Sequence, residues 1–214
     1  MTETAIAGIA WDVDGTLVDS EPTHHQGMIE VCLALGIDLR RDPPERFLGM
    51  NQDAIWAVLA PQMPAGITRE AWKTRLQDRF IAAVGEVPTM PGARAAMEAF
   101  AEAGIAQVAV SNSGRRVMDA CLRAGGFDRF LRGTVSFDDV TLGKPDPEPY
   151  RKGLALLGLA PRQVMAVEDS GTGARAARAA GLRLAALGAA QSVGGHAIGS
   201  LHELPPLVLR GDLR

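Results

Sequence analysis

The sequence predicts an α/β fold, a doubly wound parallel sheet carrying an inserted all-helical module, from three features. Short apolar runs alternate with longer runs of helical period, several of the helical runs are closed by glycine, and one early stretch breaks the alternation with helices alone. Repeated strand-then-helix order implies parallel neighbours, because parallel strands need a crossover between them.

The strand-like runs are Ala5–Val13, Gln107–Ser111, Gly133–Phe137, Gln163–Val167 and Leu182–Leu187. Helical patterns cover Ala93–Ala103, Arg115–Ala124, Glu148–Leu157 and Ala174–Ala180. Between about Ser20 and Glu86 the helices Glu21–Leu35, Gln52–Leu59 and Arg69–Val84 follow one another without a convincing strand, and Val87–Gly92 reads as a stiff return. The expected organisation is therefore a core of residues 1–19 and 87–214 with a helical cap at 20–86. Ligands of open α/β sheets bind at the carboxyl ends of the strands, so an insertion after the first strand would hang over the site. The segment Gly188–His202, rich in glycine and alanine, gives little pattern beyond a short strand near His196–Ile198, and the role of 188–214 is left open.

A chain of 214 residues, 47% hydrophobic and 22% charged, is long enough for one sizeable core plus a modest insert. Its formal charge of -3 offers no broad basic surface, which argues against nucleic acid or an anionic membrane and for a small-molecule partner. Cys32 and Cys121 lack metal-ligand spacing and read as core residues of a cytoplasmic protein. The opening apolar run is too short and too acidic for a signal peptide or a membrane span.

Chemistry concentrates where strands end. Asp12 and Asp14 lie two apart on an extended chain and point the same way, so one carboxylate can attack a phosphorus while the other handles a proton. Ser111, Asn112 and Ser113 offer hydroxyls, an amide and backbone N–H groups just before a helix, a suitable place for an anion. Lys144 stands between glycine and prolines in a loop expected to be extended, where it can neutralise phosphate oxygens and keep an aspartate ionised. Glu168 and Asp169 close another apolar strand, and hard oxygens from Asp12 and Asp169 suit Mg²⁺.

Each motif also has a purely structural reading. Asp14 and Gly15 can reverse the chain, Ser113 or Asn112 can cap a helix, Lys144 can be a solvated lysine, and Asp169 or Ser170 can be a cap. Their joint occurrence at strand ends of one sheet favours a single site. Three clustered acids would raise one another's pKa without a divalent cation and Lys144 to balance them.

On these four motifs, taken in order, the chain resembles the haloacid dehalogenase superfamily of phosphatases. The resemblance implies a Rossmann-like core, a helical cap and Mg²⁺-dependent transfer through an aspartyl-phosphate. Carried onto this chain, it makes Asp12 the nucleophile and Asp14 the general acid and then base, with the Asp14 backbone carbonyl also on the metal. Ser111 and Lys144 would hold the phosphoryl group with backbone amides around Asp14–Gly15 and Asn112. Asp169 would bind Mg²⁺ directly and Glu168 from the second shell. Thr16 would support the loop after the nucleophile, while His24, Gly49, Asn51 and Gln52 are candidate cap and substrate contacts.

The stretch Leu17–His24 is similar to the sugar-phosphate phosphatase and β-phosphoglucomutase branch. Leucine at 48 and glutamine at 52 replace two cationic contacts of the mutases, which favours hydrolysis over a β-phosphoglucomutase-like phosphotransfer. The expected activity is hydrolysis of a small phosphorylated metabolite by a monomer or weak dimer. A binding protein using the same pocket is the third reading, disfavoured because Asp12, Asp14 and Asp169 are all retained.

Overall fold

The apolar runs become the middle of a sheet. In the computed structural model, which describes residues 5–47, 50 and 52–211, β1 (Gly8–Trp11), β2 (Ala106–Val110) and β4 (Val164–Glu168) are buried along their whole length. Covering both faces of a parallel sheet demands this, and it explains why these runs are continuous rather than alternating. The order is β3-β2-β1-β4-β5-β6, with β3 at Gly133–Val135, β5 at Arg183–Ala186 and β6 at His196–Ala197. Every pairing is parallel, Gly8 lying opposite both Ala106 and Val164. The order reverses about β1, so the ends of β1, β2 and β4 share one crevice.

Three helices, α1 (Glu21–Ala34), α2 (Gln52–Leu59) and α3 (Arg69–Ala83), precede α4 (Ala93–Glu102). The core strands then alternate with α5 (Arg115–Gly125), α6 (Glu148–Leu157) and α7 (Gly171–Ala179). Two compact units result, one of Met1–Asp19 and Pro88–Arg214, the other of Ser20–Val87. In the helical unit Met28, Cys32, Phe47, Leu59 and Trp72 form a separate apolar cluster. In the sheet unit the outgoing and returning strands pair: Asp19 N–H donates to the Pro88 carbonyl at 2.9 Å and Met90 N–H to that of Leu17 at 2.9 Å. No described helix is long and apolar enough to cross a membrane.

A buried polar residue lies inside β2. Gln107, second in that strand, accepts from the Trp11 indole N–H at 2.9 Å and donates to the Met97 carbonyl at 2.9 Å, so it links β1, β2 and α4 without an unmet group.

One expectation needs correction. Helix α7 begins at Gly171 instead of Ala174, because Ser170 caps it by accepting the Gly173 N–H at 3.0 Å, and the cap outweighs two glycines in the first turn. The C-terminal stretch, on which the sequence pattern says little, forms α8 (Leu204–Arg210); its two prolines sit in the first turn, where their missing N–H groups cost nothing. Leu204 and Val208 of α8 are buried.

Candidate active site

Every acid singled out at a strand end is brought to the crevice. Asp12 follows β1 directly, and its N–H still donates to the Val167 carbonyl at 3.0 Å, so the nucleophile candidate is held by the last rung of the sheet ladder. Glu168 ends β4 and Asp169 follows it. Among the described residues, Asp12, Glu168 and Asp169 each offer a carboxylate oxygen, and these oxygens lie within 4.8 Å of one another.

Lys144 enters between them. Its ammonium donates to Asp12 Oδ1 at 2.6 Å, Glu168 Oε1 at 2.6 Å and the Val110 carbonyl at 2.9 Å. The side chain is almost wholly buried, so the solvated-lysine alternative is excluded. The loop delivering it is a turn closed by Asp146 N–H donating to the Gly143 carbonyl at 3.0 Å, and not the extended segment that its prolines suggested. Two clamps fix that turn. The Asn112 side chain exchanges hydrogen bonds with the Lys144 backbone, donating at 3.1 Å and accepting at 2.8 Å. Glu148, first in α6, accepts the N–H groups of Thr141 and Leu142 at 3.0 Å each.

Glu168 has no exposed surface. Beyond Lys144, its Oε1 accepts from the Tyr150 hydroxyl at 2.7 Å and its Oε2 from the Ser170 hydroxyl at 2.9 Å. Both oxygens are thus engaged by protein donors. Space for them comes from Gly173, where an added Cβ would lie 1.8 Å from Glu168 Oε1. Gly15 does the same for the neighbouring acid: a Cβ there would meet Asp169 Oδ2 at 2.3 Å, and its φ of +81° already disfavours a side chain.

Asp14 is held by two hydroxyls. Ser111 Oγ donates to its Oδ2 at 3.0 Å and Ser113 Oγ to the same oxygen at 2.7 Å, while Ser111 Oγ accepts the Ser113 N–H at 2.9 Å. Neither Asn112 nor Ser113 caps α5, which starts after Gly114 without a side-chain cap; Asp138 Oδ2 takes the Arg115 N–H at 2.8 Å instead.

Charge crowding shows in the titration behaviour. Burial, then Glu168, push the Asp12 carboxyl well above its usual range; Lys144 opposes this, and Asp169 and Asp14 add to it. Burial followed by the Glu168 charge raises Asp169 to about 6. Burial works against the Lys144 ammonium, yet Asp12 and Glu168 more than offset it and raise its pKa. Burial and Glu168 likewise hold the Tyr150 phenol in its neutral, donating form.

Of the remaining candidates, Thr16 is fully buried and its hydroxyl finds no hydrogen-bond partner among the described residues. The His24 ring stacks on Phe80, with centroids 4.0 Å apart, inside the helical unit. Gln52 opens α2 and is half-buried. Gly49 and Asn51 lie outside the described residues.

Sequence reasoning passed over Tyr150, the only tyrosine in the chain, although it sits in the first turn of the helix that follows the lysine loop. It also gave Ser113 no contact with Asp14, although the two-residue rule that aligned Asp12 with Asp14 aligns Ser113 with Ser111. Nothing local signalled Gly173, whose purpose depends on a side chain from another element.

At its strand ends the parallel sheet gathers the carboxylates of Asp12, Glu168 and Asp169 around one buried ammonium, which makes this crevice the candidate active site. The chain belongs to the haloacid dehalogenase-like hydrolase family, whose sequence model matches residues 6–181. Hexitol phosphatase B of Escherichia coli (strain K12) is 30% identical over 185 residues, 85% of this chain and 83% of that protein. The phosphorylated carbohydrates phosphatase of Thermotoga maritima is 27% identical over 175 residues, 81% of each. The crystal structure of CbbY from Rhodobacter sphaeroides in complex with phosphate superposes with a TM-score of 0.80 at 28% identity, covering 93% of this chain and 96% of that one.

Proposed function

We propose that this chain is a Mg²⁺-dependent phosphatase that hydrolyses a small phosphorylated metabolite, a sugar phosphate or a phosphoglycolate-like acid, through an aspartyl-phosphate on Asp12. The observation that carries the reading is Lys144, which binds Asp12 and Glu168 at 2.6 Å each and leaves Asp169 beside them. Three carboxylates gather about one ammonium, with Asp14 adding its charge nearby, and an aspartate pushed upward by burial and its neighbours needs more positive charge than Lys144 supplies to remain a nucleophile.

The donor set fits a hard divalent cation: clustered carboxylate oxygens with no sulfur or imidazole among them. Asp12, Asp169 and the backbone carbonyl of Asp14 would hold Mg²⁺, with Glu168 behind them, because its oxygens already serve Lys144, Tyr150 and Ser170. When bound, the ion supplies charge neutralisation for the phosphoryl oxygens and for the acid cluster. The protein residues do the rest. Lys144 fixes Asp12 Oδ1 and orients the carboxylate, and Ser111 and Lys144 cradle the phosphoryl group with the Asn112 backbone amide. Asp14 protonates the departing oxygen, then takes a proton from the water that cleaves the acyl phosphate.

Hydrolysis is favoured over phosphotransfer because Leu48 and Gln52 stand where the mutases of this branch carry cations, and because hexitol phosphatase B and the Thermotoga protein are named phosphatases. The helical unit, as a cap with Gly49, Asn51 and Gln52, is assigned the selection of substrate. A cytoplasmic location accords with two buried free cysteines.

The test is phosphate release from a panel of sugar phosphates, with and without Mg²⁺, for the native chain and for Asp12→Asn. The native chain should turn over only with Mg²⁺, and the variant should fall to background. Equal rates for the two proteins would remove Asp12 from the reaction.

A further inference from the structure

The serine pair poses a counting problem that the proposed reaction does not resolve. Ser111 and Ser113 both donate to Asp14 Oδ2, at 3.0 and 2.7 Å. Each hydroxyl has one proton to give. In the reading above, Ser111 also binds the transferring phosphoryl group, and the proton it donates there is withdrawn from Asp14. Ser113 carries no such second duty in that reading, and its backbone is anchored by its own N–H donating to Ser111 Oγ at 2.9 Å and its carbonyl accepting the Phe137 N–H at 3.0 Å.

We infer that Ser113 is the positioning residue for Asp14 during proton transfer, holding Oδ2 so that the acid proton is carried on Oδ1. A carboxyl oxygen that accepts hydroxyl donors is the poorer place for a proton, which therefore resides on the other oxygen. In the first step the Asp14 Oδ1–H bond breaks and the proton passes to the leaving oxygen as its bond to phosphorus breaks and the Asp12–phosphorus bond forms. In the second, a water gives a proton back to Asp14 as its oxygen bonds to phosphorus and the Asp12–phosphorus bond breaks, releasing phosphate and the free Asp12 carboxylate. Ser113 neither gains nor loses a proton in either step. It fixes a rotamer, and a misplaced acid is costly because proton transfer requires hydrogen-bond reach.

This inference rests on Asp14 being the general acid, and the experiment separates the two. The rate constant kcat/KM is measured with Mg²⁺ for the native chain, Ser113→Ala, Ser113→Thr and Asp14→Asn. The substrates are a nitrophenyl phosphate, whose leaving group departs as an anion unaided, and an alkyl phosphate, whose leaving group needs a proton. General acid catalysis is worth roughly 10²–10⁴-fold, so Ser113→Ala should lose about 10-fold or more on the alkyl ester and about 3-fold or less on the nitrophenyl ester. Ser113→Thr, which keeps the hydroxyl, should restore the alkyl rate, and Asp14→Asn should show the same selectivity more strongly. Equal losses on both esters for Ser113→Ala would make the residue merely structural and overturn the inference. If Asp14→Asn is selective and Ser113→Ala is not, the inference fails while the role of Asp14 stands; if Asp14→Asn shows no selectivity, the proton-transfer reading itself fails.

Discussion

Removing the Lys144 ammonium would leave Asp12 and Glu168 facing each other with nothing between them, in a place almost without solvent. Breaking a buried ion pair by deleting one partner costs about 3–5 kcal/mol, because the surviving charge is uncompensated. A Lys144→Met chain, similar in shape, should lose stability on that scale in urea unfolding without added metal. Adding Glu168→Gln should recover part of the loss, since one of the stranded charges is then gone. Purely additive losses in the double variant would mean that the two residues do not interact as their 2.6 Å separation implies. Activity should remain low in both variants, because the proposed reaction relies on the ammonium to hold the phosphoryl group.

At the scale of elements, three strand ends, the turn before α6 and two helix starts build the site, and close packing sets its tolerances. Helix α7 approaches β4 on a face of Gly173, Ala174, Ala176 and Ala177, all buried. A glycine inside a helix is ordinarily worse than alanine by roughly 0.5–1 kcal/mol, so propensity alone predicts that Gly173→Ala stabilises. The geometry predicts the opposite sign. A Cβ lying 1.8 Å from Glu168 Oε1 forces that buried carboxylate out of its hydrogen bonds, and overpacking of this kind costs about 1–3 kcal/mol. The variant should melt lower than the native chain and lose activity, because Glu168 must leave Lys144 and Tyr150. A raised melting temperature would show that the carboxylate has room to move.

At the scale of the whole molecule, the acid cluster couples folding to protons and, in the proposed reaction, to a metal ion. Asp169 titrates near 6 in the folded chain, raised chiefly by burial and then by Glu168, and Asp12 is raised as well. Between their ordinary values near 4 and about 6, the folded state holds protons that the unfolded state has released. Stability must therefore fall as pH rises through that window in the absence of metal. Surface acids such as Asp38 and Asp53, lowered by hydrogen bonds from Arg40 and Lys73, act in the opposite sense only below their unfolded values. A dication held as proposed would meet the ionised acids, so its stabilisation should grow over the same window. Melting curves in chelator and in Mg²⁺ should converge near pH 4 and separate toward pH 7. A Mg²⁺ shift independent of pH would contradict the placement of the ion among these acids.

The same scale separates what the chain's linear order determined from what folding decided. The alternation of apolar and helical periods was enough for the parallel sheet, since period and crossover follow from backbone geometry and any stretch carries its own period. The strand-end acids were legible for a related reason: a residue that ends a buried strand can go only to the sheet edge. The start of α7 at Gly171 and the presence of α8 were not legible, because a serine cap and packing against the core outweigh local propensity. Nor could the order of residues reveal that Tyr150 and Ser170 both serve Glu168, that Ser113 joins Ser111 on one oxygen of Asp14, or that Gly173 leaves room for a carboxylate. Tyr150 and Ser113 reach partners far along the chain, and Ser170 and Gly173 reach one on the preceding strand; only the packed structure assigns them, because hydrogen bonding and excluded volume act over a few ångströms of space without regard to position along the sequence.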